Sequence, residues 1–222
     1  MKSTEHLLAA SLLGTSLVLG GCGGMDTEPK EATIVQNDPG MEASMVKLRN
    51  YWIGRGVAQA ADVKLVTISA GTMDCVNLQY ITTTLRASET NGAYCAPATI
   101  VVGKKAVETI TANAIHGGYS VEDAELTLAA HEFGHDIQYN TVSGYGEQQI
   151  VEQNADCMAG QAIRDINPDA YPAVDKVYYT FGSDPEHGSP EERLAAFKNG
   201  FDGGKQAFCG ANILPPEPSA SN

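Results

Sequence analysis

Basic residues are scarce in this chain: 14 Lys and Arg stand against 27 Asp and Glu in 222 residues, a formal charge of −13. No Lys/Arg stripe is present that could neutralise a phosphate backbone, which argues against a nucleic-acid partner. The acidity reads instead as solubility, with some bias against anionic substrates. There is no C-x-x-C pair, no phosphate-cradling G-x-x-x-x-G-K stretch and no internal repeat. The Leu/Ala-rich run from Leu7 to Leu19 is too short, and too interrupted by Gly14, Thr15 and Ser16, to span a bilayer permanently. Serine or cysteine nucleophile arrangements cannot be assigned along the chain, because their members are neighbours in space. With 43% hydrophobic and 18% charged residues, the length suits one folded domain.

What is present begins with an export signal. Lys2 precedes the Leu7–Leu19 run, although Glu5 partly offsets its charge. The run ends in Leu19-Gly20-Gly21-Cys22, which resembles the lipobox of bacterial lipoproteins. The resemblance implies cleavage before Cys22, lipidation of its thiol and anchoring at the cell envelope, on the periplasmic side or the cell surface. Setting Cys22 aside leaves Cys75, Cys95, Cys157 and Cys209, an even number suited to an oxidising compartment. Four cysteines allow three connectivities. Cys75–Cys95 and Cys157–Cys209 are favoured, the first stapling neighbouring segments and the second pinning the C-terminus.

The chemistry concentrates in His131-Glu132-Phe133-Gly134-His135, an H-E-x-x-H stretch. On a helix its histidines lie one turn apart, about 6 Å in rise, so both imidazoles can close on one metal ion. Glu132 borders the same face, where a carboxylate can deprotonate a metal-bound water. A catalytic zinc takes three protein ligands, and Glu152 in Glu152-Gln153-Asn154-Ala155-Asp156 is the candidate third. Asp156, one turn on, can accept the far N–H of His131 or His135.

Around these motifs the chain divides into a signal (residues 1–21), a polar tether (22–40), a folded domain (41–210) and a proline-rich tail (211–222). Met41, Met45, Leu48, Trp52 and Ile53 predict a packed helix within Met41–Val57. Val63–Ser69, Leu78–Leu85 and Thr99–Val102 read as strands of a small antiparallel or mixed sheet, with a turn at Asn91-Gly92. His116-Gly117-Gly118 reads as a loop carrying a surface histidine. Ser120 caps the metal helix, with Asp123 closing a variant capping box. Gly134 inside that helix predicts close approach of another backbone. After a turn over Asn140–Gly146, a second helix runs from Gln148 to Ile166, its Ala155, Ala159, Gly160 and Ala162 forming a close-packing surface. A tyrosine-rich helix covers Tyr171–Tyr179. Ser189-Pro190-Glu191-Glu192 opens a capped last helix that runs to Gly200.

The blocks Tyr94-Cys95, Ala130–His135 with Gln138, Ala155–Gly160, and His187-Gly188-Ser189 with Arg193 resemble the neutral zinc metallopeptidases of bacterial envelopes, and more widely the gluzincins. Together they span Cys75 to Cys209. Ala96 departs from the pattern, where the family has proline directly after the cysteine. The resemblance implies a zincin-like α+β domain binding one Zn2+ through His131, His135 and Glu152, with Glu132 as catalytic base and a peptide or protein as substrate. His187 is a candidate oxyanion donor, with Tyr179 as a second, and Arg193 a partner for an acidic residue such as Asp156. The Thr99–Val102 strand is the expected docking edge for an extended peptide. Two other functions share these motifs: a binding or scaffold lipoprotein with a structural zinc, and a zinc amidase acting on cell-wall peptide. The intact Glu132 argues against the first, since a closed structural site has no use for a base.

Overall fold

The computed structural model describes residues 31–76, 84–141, 147–204 and 209–210. The signal, Cys22, the first part of the tether, most of the Leu78–Leu85 stretch, most of the Asn140–Gly146 turn and the tail lie outside the described residues. Secondary structure is a mixture of helices and two small sheets. Strand β1 (Thr33–Val35) and helix α1 (Pro39–Gly54) show that the folded part begins before position 41. Asp38 caps α1, its carboxylate accepting from the amides of Gly40 and Met41. Met41, Met45, Leu48 and Trp52 enter the core as their spacing requires, while Ile53 faces outward.

The main sheet has the order β1-β2-β6-β5, formed with β2 (Lys64–Ala70), β5 (Gly92–Cys95) and β6 (Thr99–Gly103). β2 and β6 are parallel, and β1 and β5 run antiparallel to their neighbours. Strands β3 (Thr72–Val76) and β4 (Thr84–Ser88) pair separately, and Met73, Cys75 and Ala87 join Ile68, Ala93 and Val101 in a second apolar cluster. Two expectations are corrected here. Thr99–Val102 lies inside the sheet, not at its edge, because β5 pairs along its far side. Asn91-Gly92 is not itself the turn: the chain reverses at Glu89 and Thr90, and Gly92 already belongs to β5.

Helix α2 (Lys104–Gly117) occupies sequence expected to end in a loop, and His116 sits exposed in its last turn. Its buried side is carried by Ala106, Val107, Ile110 and Ala114. Helix α3 (Val121–Thr141) is the centre of the domain, buried without interruption from Ala124 to Gln138. Ser120 Oγ accepts from the Asp123 amide at 3.2 Å, but the Asp123 carboxylate takes Asn167 Nδ2 at 2.7 Å instead of closing the box.

Helix α4 (Gln148–Ile166) crosses α3 at Gly134, where a Cβ would stand 2.7 Å from the Ala155 oxygen and 2.8 Å from its Cα. Helices α5 (Tyr171–Phe181) and α6 (Pro190–Gly203) complete the domain, both running slightly beyond their expected ends. Ser189 and Glu192 form the full capping box of α6. α6 packs backbone to backbone on α4, since a side chain at Gly200 would meet the Cys157 carbonyl and one at Gly160 the Phe197 carbonyl. Cys75 pairs with Cys95 and Cys157 with Cys209, tying β3 to β5 and α4 to the segment after α6. Such bridges are compatible with export. Among the described residues no helix is long and apolar enough to cross a membrane.

Candidate metal centre

Helix periodicity puts His131 and His135 on one face of α3, and the Gly134–Ala155 contact draws α4 close enough for Glu152 to reach them. Glu152 Oε2 lies 3.2 Å from His131 Nε2 and 3.1 Å from His135 Nε2. All three side chains are buried, and their donor atoms lie within 4.8 Å of one another, so the group could hold a metal ion. Ligands at about 2.0–2.1 Å in a tetrahedron stand about 3.3 Å apart, so the two short separations suit such an ion.

The tautomers fit as well. His131 Nδ1 donates to Asp156 Oδ1 at 2.8 Å, and His135 Nδ1 donates to Gln138 Oε1 at 3.0 Å. With Nδ1 committed to these acceptors, Nε2 is the nitrogen each ring turns to Glu152 and the one a metal ion would take. Gln138 is fixed in turn by donating to the Val151 carbonyl at 2.7 Å. Asp156 is fully buried and receives Arg193 in a bidentate pair, both N–H donors at 3.0 Å. The Arg193 guanidinium lies over the Tyr178 ring, 4.6 Å from its centre. Asp156 therefore serves His131, not His135, and Arg193 serves Asp156.

Charge follows this geometry. Burial would raise the Asp156 carboxyl, but Arg193 and His131 outweigh it and hold it at about 2. Burial would lower His131, yet the Asp156 and Glu152 carboxylates push it up to about 10. Burial likewise opposes charge on Glu152 and His135, and their mutual attraction wins, lowering Glu152 well below the usual carboxylate range and raising His135. Without a metal, the Glu152 and Asp156 carboxylates thus favour protons on the two histidines, and a bound cation would take the place of the proton on each Nε2. Glu132 behaves differently: burial raises its carboxyl, only partly countered by His131 and His135.

A cleft of about 490 Å³ opens onto the group. Its lining includes Asn91, Gly92, Ala93 and Tyr94 at β5, and Leu128, Val177 and Phe181 from α3 and α5. Among the described residues β5 pairs only with β6, which makes it an edge strand of the main sheet, with β3 held against it by the Cys75–Cys95 bridge. His187 enters the cleft from the loop before α6, its Nε2 3.4 Å from Glu152 Oε2. Its Nδ1 and amide both donate to Asp184, at 2.9 and 2.8 Å. The loop is closed by an Asp184–Gly188 bridge, with Gly188 at a φ of 85°. Tyr179 does not reach the site: it is half exposed and donates to Glu191 at 2.8 Å.

Asp184 and Gln138 thus orient His187 and His135. The first has no signal beyond its place three residues before a histidine; the second stands in the block that carries the resemblance, which assigns it no role. Comparison with family models, curated proteins and solved structures gives no match.

Proposed function

We propose that this protein is an exported zinc-dependent peptidase of the cell envelope, similar to the neutral zinc metallopeptidases. It would be anchored through a lipid on Cys22 and act on a peptide or protein substrate. The observation that carries the reading is the convergence of His131, His135 and Glu152 beside Glu132 and the His187–Asp184 pair, in a cleft lined by an edge strand. A zinc-amidase or scaffold role has no separate observation in its favour.

His131, His135 and Glu152 would hold the metal, which when bound supplies a Lewis acid and acidifies water towards a pKa of about 7. Glu132, whose affinity for a proton is raised by burial, acts as the carboxylate that takes the proton of the attacking water and passes it to the leaving amine. His187, oriented by its Nδ1–H to Asp184, presents Nε2 to the cleft as the proposed donor to the developing oxyanion. An extended peptide adds to the outer edge of β5, which replaces the Thr99–Val102 strand as the docking edge. Backbone pairing there is tolerant of sequence, while Leu128, Val177 and Phe181 supply apolar lining for substrate side chains.

The test is cleavage of a mixed peptide library by the soluble chain from Gly24 onward, with zinc, with a chelator, and as Glu132→Gln. Loss of cleavage in the last two arms, by about 100-fold or more for the variant, supports the peptidase. A folded, zinc-loaded chain that cleaves nothing removes this reading in favour of a scaffold. A chain that takes up no zinc sinks the site itself.

A further inference from the structure

Gly92 is a glycine that its own backbone does not require. Its φ lies outside the left-handed region, unlike those of Gly71, Gly118 or Gly188. It sits in regular register opposite Val102 at the start of β5. What the missing side chain makes room for is the carboxylate of Glu132. A Cβ at position 92 would overlap Glu132 Oε1 and lie 2.8 Å from its Cδ and 3.3 Å from its Cγ. At Gly103, Gly134, Gly160 and Gly200 the same atom would meet backbone instead. Those glycines serve packing; Gly92 serves one side chain.

We propose that Gly92 is a positioning residue for the general base, the bare stretch of strand against which the Glu132 carboxylate is seated. The inference rests on the reading of Glu132 as base.

The two sides of this contact differ in how far they can yield. The turn before Gly92 is clamped: Asn91 Oδ1 accepts from the Ser88 amide at 2.6 Å, and Asn91 Nδ2 donates to the Arg86 carbonyl at 3.2 Å. The Asn91 carbonyl accepts from the Gly103 amide at 2.7 Å, and the Glu89 carbonyl takes the Lys105 amide at the start of α2. The backbone of Glu132 is equally fixed by the burial of α3. Only its side-chain torsions remain, and the cleft gives them somewhere to turn. A methyl at position 92 therefore displaces the carboxylate by about 1 Å and leaves the fold in place. Misplacement of that size costs a catalytic group about 100-fold.

The experiment compares wild type, G92A, E132D and G92A/E132D in the zinc-loaded chain, together with crystal structures of wild type and G92A. Expected for G92A are zinc content, melting temperature and KM close to wild type, kcat lower by about 100-fold, and a displaced Glu132 carboxylate. Aspartate is one methylene shorter and withdraws from the added methyl. In the E132D background the further loss on adding G92A should therefore shrink to less than about 10-fold. A G92A enzyme with wild-type kcat, beside an inactive Glu132→Gln, overturns the seat and leaves the base reading intact. If no form cleaves any peptide, the peptidase reading has failed and the crystal structures still decide: an unmoved carboxylate overturns the seat, a displaced one supports it. Should G92A melt far below wild type, removing the carboxylate in G92A/E132A must restore the melting temperature; failure to do so overturns the proposal.

Discussion

Helix α3 carries two sets of buried ionisable groups, and the surrounding protein treats them in opposite ways. His131 and His135 have an orienting partner each, Asp156 has Arg193, and every charge in that set is answered by another. Glu125 and Asp136, on the same helix, are paired with no cation among the described residues. Glu125 faces Asp38 where α1 begins, and one oxygen of Asp136 is buried without a hydrogen bond. Burial pushes both carboxyls up to about 7, with Asp38 adding to the effect on Glu125. One set is arranged to receive a cation from outside; the other keeps its own proton.

The sharpest way to break this contrast is to turn the paired set into the unpaired kind. Arg193→Met leaves Asp156 buried and uncompensated, and the metal-free protein should lose about 3–5 kcal/mol in denaturant unfolding. The double variant with Asp156→Leu should recover much of that loss. A far smaller single-variant loss would mean that water already reaches Asp156.

Next in size is His187→Ala, which should lower turnover by about 100-fold or more with zinc content unchanged. Lost zinc instead would place His187 among the groups that hold the site together. Gln138→Leu removes the acceptor of His135 Nδ1–H without touching a ligand, and should weaken metal binding about 10-fold in a chelator competition.

The unpaired set is tested through pH. Because the Asp136 pKa is raised on folding, the folded state holds a proton that the unfolded chain releases. Stability contributed at low pH is therefore lost as pH rises from about 4 to about 7. The difference in unfolding free energy between wild type and Asp136→Asn should drift against wild type across that window and level off above it. A flat difference would show that Asp136 has a counter-charge or water of its own.

The ligand-bearing helices were legible because their signals are local and periodic. Two histidines four apart, a glutamate and an aspartate four apart, and the Ser189–Glu192 cap are each decided within one or two turns. Gly134 was informative for the same reason, its cost inside a helix implying the Ala155 backbone beside it. Helix α2 was not legible, since Val107, Thr109, Ile110 and Thr111 lean towards strand and much of its buried side is alanine. Strand order was not legible either, because it depends on β5 folding back along β6 through a turn that follows from no periodicity. Asp184 acquires its role only when the loop closes at Gly188. The lipid anchor rests on sequence alone.

The order in which the site's parts occur along the chain gives its assembly a direction in time. A nascent chain leaving the ribosome N-terminus first exposes His131, His135 and Glu152 well before it exposes Arg193, and Cys209 last of all. Until Arg193 arrives, Asp156 has only His131 to repay its burial, so α4 gains less by closing on α3. The centre that comes first in the reading of the sequence is thus among the last parts of the molecule to become whole.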